Sequence, residues 1–136
     1  MKIKIIDNKQ FVFDDIRKKW LLLTPEEKVR QHVVQYLIQE KKIPKSLIAL
    51  EKLITVNEMK KRFDVLVYKA TKPWLLVECK EPNVELNDMA LQQVLNYNNV
   101  LQVPYFAITN GENLFVWKIE NSRLLQLNDF PNWELF

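Results

Sequence analysis

Asp64, Glu78 and Lys80 are the residues of this chain whose types and spacing could do chemistry. Glu78 and Lys80 stand two apart in "WLLVECK" (residues 74–80), so on a strand they project from one face. The apolar run ahead of them belongs inside a protein. Asp64 lies in "RFDVLVY" (residues 62–68), a second strand-like segment. A hairpin centred on Thr71 sets Tyr68 opposite Trp74, Leu66 opposite Leu76, and Asp64 opposite Glu78. Directly opposed side chains hold their Cβ atoms about 5 Å apart. Two carboxylates so placed repel, and either one takes up a proton or a cation sits between them. Two oxygen ligands on one side of a site suit Mg²⁺, which combines a few carboxylates with water and substrate phosphate. Lys80 then lies beside whatever the cation holds. The plainer alternative is a turn residue at Asp64 and a solvated strand end at Glu78 and Lys80, because a one-residue slip exchanges the faces.

Composition narrows the chemistry. The chain has 136 residues, 48% of them hydrophobic and 27% charged, which suits a single soluble domain over residues 1–136. Its one glycine, Gly111, cannot build the glycine-rich loops that cradle phosphates in ATP motors and dinucleotide enzymes. One cysteine and one histidine are too few for an ordinary zinc site. A Ser-His or Cys-His nucleophile pair would need His32, which has no nucleophile pattern near it. Cys79, alone, excludes an internal disulfide and suits a reducing cytoplasm. No apolar run approaches the roughly 20 residues of a membrane span, and the alternating N-terminal stretch is not a signal peptide. A net charge of +3 permits nucleic-acid binding without demanding it. The chemistry falls to Asp, Glu, Lys and Gln.

The elements that must position these residues read as follows. "KIKII", a turn at "DNKQ" and "FVF" form an N-terminal hairpin, followed by the basic "IRKKW". "TPEEKVRQHVVQYLIQEKK" is a helix: Thr24 caps it, Pro25 occupies its first position, and Glu27 closes a capping box. Val29, Val33, Tyr36 and Leu37 mark its buried face. "SLIALEKLITV" is a strand long enough to bend. The two strands of the hairpin follow, then a second helix in "LNDMALQQVLNYNNVL". A short apolar strand, "VPYFAIT", comes next. Asn110-Gly111 turns into "NLFVWKI", with "LLQL" pairing back. This order gives an α/β fold: a mixed central sheet of four or more strands, flanked by two helices and carrying terminal hairpins.

"RFDVLVY" followed by "LLVECK" resembles the Asp…Glu-x-Lys signature of the PD-(D/E)XK nuclease superfamily. The series "TPEEKVRQHVVQYLI", "ECKEPN", "QVLNY" and "VPYFAITNG" is similar to the N-terminal nuclease domain of type I restriction enzyme R subunits, over roughly residues 24–118. The resemblance implies a restriction-endonuclease-like core and a Mg²⁺-dependent DNA endonuclease, with Mn²⁺ able to substitute. Asp64, Glu78 and the backbone carbonyl of Cys79 would hold the metal, and Lys80 would orient the attacking water or steady the transition state. Phe63 stands where the proline of the superfamily's name would be.

A carboxylate from the first helix often completes such sites. Glu26 and Glu27 compete, and Glu26, three residues before Val29 and seven before Val33, is the choice. Its plain alternative is a first-turn acid favoured by the helix dipole. In the second helix, Leu86, Ala90, Val94, Tyr97 and Leu101 form an inward stripe that takes in Gln93. Gln93 with Tyr97 resembles the Gln-x-x-x-Tyr motif beside the metal in this branch, a nucleic-acid contact; the plain alternative is a glutamine capping backbone at the sheet edge. Basic clusters at 17–19, 41–45 and 60–62 flank element ends, where solvated charge is ordinary. Glu81 adds negative charge where similar domains often carry a small residue. Without a helicase motor, the chain is expected to be a stand-alone domain that works with restriction or helicase partner subunits, or as a homodimer, on DNA and away from membranes. The alternatives are a non-catalytic nucleic-acid- or protein-binding module on the same fold, and a small junction-resolvase-like nuclease.

Overall fold

Turn chemistry decides the pairing of the first strands. In the computed structural model, Asp7 and Asn8 both have positive φ, 51° and 64°, the mark of the two-residue turns that match strand twist. They join β1 (Ile3–Ile6) to β2 (Lys9–Asp14). A third strand, β3 (Lys19–Leu22), pairs antiparallel with β2, so the expected hairpin is a three-stranded sheet. The basic stretch before the helix is thus partly strand, because Trp20 packs edge-on against Phe13 at 5.4 Å. The structure describes residues 1–56, 58–89, 91, 92, 96, 102–121 and 123–133.

Helix α1 (Pro25–Gln39) starts as expected, with the Thr24 hydroxyl accepting the Glu27 N–H at 3.1 Å. Its buried residues are Glu27, Val29, Arg30, Gln31, Val33, Val34 and Leu37. Tyr36, expected inside, is exposed; its hydroxyl donates to Asp129 Oδ2 at 2.6 Å and its ring leans on Phe130.

The main sheet has six strands in chain order: β4 (Ile48–Val56), β5 (Met59–Lys69), β6 (Lys72–Cys79), β7 (Tyr105–Thr109), β8 (Leu114–Glu120) and β9 (Arg123–Leu127). Only β6 and β7 run parallel, which makes the sheet mixed. The C-terminal hairpin extends this sheet and is not a separate appendage. On one face, Val29, Val33 and Leu37 of α1 cover Val65, Val67, Leu75, Val77 and Ala107. On the other, Leu66, Leu76, Phe106, Ile108 and Trp117 pack with Leu86 and Leu91. Asp88, Met89, Leu91, Gln92 and Asn96 are helical. Ala90, Gln93, Val94, Tyr97 and Leu101 of the expected second helix lie outside the described residues, so one flanking helix is seen in full.

The β5–β6 hairpin keeps its expected register by a different route. The turn is Ala70-Thr71, two residues with φ of 51° and 65°. Lys69 then faces Lys72, and Tyr68 faces Pro73 rather than Trp74. A shorter turn would shift the whole hairpin by one, but the register shifts back beyond Tyr68. Trp74 is the extra residue of a bulge. Val67 faces Leu75, Leu66 faces Leu76 and Val65 faces Val77. Continued by one pair, this alignment brings Asp64 opposite Glu78.

The bend expected in the long strand falls at Glu51. The β4–β5 ladder pairs Leu50 with Val65 and resumes with Lys52 opposite Phe63. Glu51, between them, has φ 48°, a left-handed conformation that L-residues seldom adopt. Val65 belongs to the core under α1, yet Phe63, two residues away, belongs to the opposite core. Strand alternation therefore breaks at Asp64, freeing that side chain from either packed face.

Candidate carboxylate site

Three elements converge at this break: the middle of β5, the end of β6 and the first turns of α1. Asp64 Oδ2 accepts the backbone N–H of Cys79 at 2.8 Å. A side chain thereby takes the place of a strand partner and fixes Asp64 against the end of β6. In extended backbone a residue's N–H and C=O point to the same side, so the Cys79 carbonyl is directed toward β5 as well. Asp64 Oδ1 accepts from the Arg30 guanidinium at 3.0 Å. Each carboxylate oxygen has a further lone pair for another partner.

Glu78 is 7% exposed. Its nearest cation, Lys80 Nζ, is 3.9 Å from Oε2, beyond hydrogen-bond length. Burial, then the Asp64 charge, push its carboxyl up to about 8, with Glu26 adding to the rise and Lys80 and Arg30 opposing it. Lys80 itself is anchored by its backbone N–H, which donates to the Thr109 carbonyl at 2.8 Å. Its side chain remains partly open to solvent. The Cys79 thiol is raised by burial and by the Asp64 charge, and stays an inert core group.

The helix contributes differently from expectation. Glu26 lies at the edge of the site, its side chain 47% exposed and bonded to the same Arg30 nitrogen as Asp64. Burial and the Asp64 charge raise its carboxyl, so it shares the site's field. The buried acid is Glu27. Its carboxylate does not close a capping box, since the Thr24 N–H goes to the Leu22 carbonyl. It accepts instead from Arg30 at 2.7 Å, from Arg17 at 2.9 and 3.0 Å, and from Gln31 at 3.1 Å.

Arg30 is the residue that sequence reasoning missed. It is 3% exposed and bonds Glu27, Glu26 and Asp64 at once, with Glu51 at 3.4 Å. Burial disfavours its charge, but Glu27, Asp64 and Glu51 outweigh that and hold it protonated above its ordinary range. Its Nε is buried without a partner among the described residues. Arg17 continues the network from Glu27 to Asp14, whose Oδ2 accepts from Arg17 Nε at 2.7 Å and from Gln31 at 3.0 Å. Asp14 Oδ1 accepts the N–H groups of Ile16 and Arg17, both at 2.8 Å. One signal was available: Glu27, Arg30, Gln31 and Val34 recur at helical spacing, a second stripe beside the apolar one.

Behind the site, the loop at Asn110 and Gly111 is tied down. Asn110, 3% exposed, accepts the N–H groups of Glu112 and Asn113 and donates to the Val84 carbonyl at 2.9 Å. Gly111 has φ 91°, and a Cβ there would meet the Val29 Cγ2 at 3.2 Å. Glycine lets this loop approach α1. Gln93 and Tyr97 lie outside the described residues. Among the described residues, no three His, Cys, Asp or Glu side chains are grouped as metal ligands. The oxygen donors that could hold a cation are Asp64, Glu78, whose carboxyl feels the Asp64 charge, and the Cys79 carbonyl. All three are hard oxygen donors of the kind that could bind a hydrated Mg²⁺.

No helix among the described residues is long and apolar enough to cross a membrane. No individual curated protein matches the chain. The family model described as Type I restriction enzyme R protein N terminus (HSDR_N) matches residues 25–131, from the first residue of α1 past the end of β9. With most of its length so matched, the chain belongs to the family of the type I restriction enzyme R protein N terminus.

Proposed function

We propose that this chain is a PD-(D/E)XK-type nuclease domain that hydrolyses DNA phosphodiesters with Mg²⁺, or Mn²⁺ in its place. The observation that carries the reading is Glu78: a buried carboxylate beside Asp64 with its closest cation at 3.9 Å. Burial and the Asp64 charge press Glu78 toward its neutral form, and a divalent cation between the two carboxylates would let both ionise. Asp64, Glu78 and the Cys79 carbonyl would hold the ion. When bound, Mg²⁺ supplies Lewis-acid polarisation of the phosphate and a more acidic water.

The chain's own residues do the rest. The Cys79 N–H and Arg30 fix the Asp64 carboxylate. Lys80, partly open to solvent just past the end of β6, would meet the incoming phosphate and steady the added negative charge. Glu26, at the solvent edge, is placed to accept a proton from water, and Gln93 and Tyr97 would contact the nucleic acid. Family membership supports DNA as the substrate and the other subunits of a restriction complex as partners.

The test is cleavage of supercoiled and linear DNA with Mg²⁺ or Mn²⁺, comparing wild type with Lys80→Ala. Loss of metal-dependent cutting in the variant supports the reading. Equal cutting by both, or none by wild type on any DNA tried, defeats it. The Arg30–Asp64 ion pair favours a second reading, a non-catalytic binding module, since it already gives Asp64 a counter-charge. DNA binding with no saturable Mn²⁺ uptake would select that module.

A further inference from the structure

The N-terminal sheet, β1 to β3, precedes residue 25 and so lies outside the family match. Yet Asp14, the last residue of β2, is 1% exposed and begins an unbroken line of charged hydrogen bonds. The line runs from Asp14 to Arg17 at 2.7 Å, Arg17 to Glu27 at 2.9 Å, Glu27 to Arg30 at 2.7 Å, Arg30 to Asp64 at 3.0 Å, and Asp64 to the Cys79 N–H at 2.8 Å. Arg17 and Arg30 both also reach Glu51, at the kink in β4. Surface ion pairs do not look like this: Asp14, Glu27 and Arg30 are all buried, and Arg17 is 14% exposed.

We infer that the N-terminal sheet is a working part of the carboxylate site, with Arg17 and Arg30 as positioning residues that set the Asp64 carboxylate for its cation. Arg30 cannot hold Asp64 steadily unless Glu27 fixes its other nitrogen. Glu27 in turn is shared between the two arginines. If Arg17 is removed, Glu27 and Arg30 turn toward each other or toward water. The guanidinium then leaves the angle that pins Asp64 Oδ1. Groups that orient metal ligands from behind commonly change metal affinity by about 10-fold or more. Arg17 touches neither the ligands nor the space between them, so its effect on the cation has to pass through Glu27, Glu51 and Arg30.

The inference rests on the metal-binding reading of Asp64, and its test separates the two. Mn²⁺ affinity is measured calorimetrically for wild type, Arg17→Met and Arg17→Lys, alongside the backbone amide spectrum and hydrogen exchange of Cys79 without metal. The expected result is about 10-fold weaker Mn²⁺ binding in Arg17→Met, faster exchange at the Cys79 amide, and partial recovery of both in Arg17→Lys. Folded Arg17→Met with wild-type Mn²⁺ affinity and an unmoved Cys79 amide would falsify the inference. Should Arg17→Met not fold, Asp14→Asn is read by the same two measurements and the same outcomes. If wild type takes up no Mn²⁺, the metal reading fails, while the Cys79 amide still decides whether the N-terminal sheet governs Asp64.

Discussion

Two sets of buried acids stand at opposite ends of one charged network in this protein, and they are treated oppositely. Asp14 and Glu27 are each surrounded by donors at 2.7 to 3.1 Å. Glu78 is equally buried, yet its nearest cation is 3.9 Å away and its neighbour is another carboxylate. The first arrangement is what a fold requires of buried charge. The second leaves a carboxyl pressed toward its neutral form, which on the proposed reading a cation would answer. Burial alone does not mark a functional acid; on the proposed reading, burial with the local counter-charge withheld does.

The largest effect should come from breaking the satisfied side. Glu27→Ala strips both guanidiniums of their central partner. It is expected to cost about 3–5 kcal/mol, the range for removing one member of a buried ion pair. Urea unfolding measures it; a loss under about 1 kcal/mol would erase the contrast. Glu78→Gln attacks the other side and should differ in sign. It fixes the neutral form that burial and the Asp64 charge already favour, so the metal-free protein is expected to keep or slightly raise its melting temperature while losing most of its Mn²⁺ binding. A melting temperature lowered as severely as by Glu27→Ala would show that Glu78 is structural after all.

Asp14→Asn sharpens the comparison through pH. Burial raises the Asp14 carboxyl, but hydrogen bonds from Arg17 and Ile16, with the Arg17 charge, bring it below the ordinary 3.8. A depressed acid contributes stability that is complete above its unfolded value and lost as pH falls through the folded value. The wild type should therefore be clearly more stable than Asp14→Asn at pH 7, with the gap closing below about pH 4. A gap of constant size across that range would mean the charge is not what matters. Smallest among these, Gly111→Ala should cost about 1–2 kcal/mol, from a left-handed φ and a tight contact with Val29. Thermal melts resolve a change of that size.

Much of the frame was legible because its causes are local. Thr24 and Pro25 set the start of α1, Asn110 and Gly111 set a turn, and alternating apolar residues set the strands of the main sheet. The Asp64–Glu78 pairing was legible for a less secure reason. The expected loop across Lys69 and Pro73 is really a two-residue turn, and the bulge at Trp74 restores the same alignment. A bulge has no composition of its own, so two departures cancelled. The third N-terminal strand was not legible, since "KWLL" owes its pairing to β2 rather than to any pattern within itself. Nor was Arg30: a charged residue on a helix ordinarily faces water. Only the three-dimensional meeting of Glu27, Glu26, Glu51 and Asp64 makes its burial tolerable. The capping box expected of Glu27 failed for the same reason, because a partner that buries Glu27 comes from Arg17, ahead of the helix.

The kink at Glu51 has a consequence for solubility. β4 is an edge strand, and a long flat edge invites pairing with another molecule. A left-handed residue in mid-strand breaks the even spacing of free backbone groups, and it carries a charge there too. The opposite edge, β9, exposes Leu124 and Leu125 along its length. Strand-to-strand aggregation at high concentration should therefore begin at β9, and lysines placed at Leu124 and Leu125 should suppress it, while the same change at Leu53 on β4 does little.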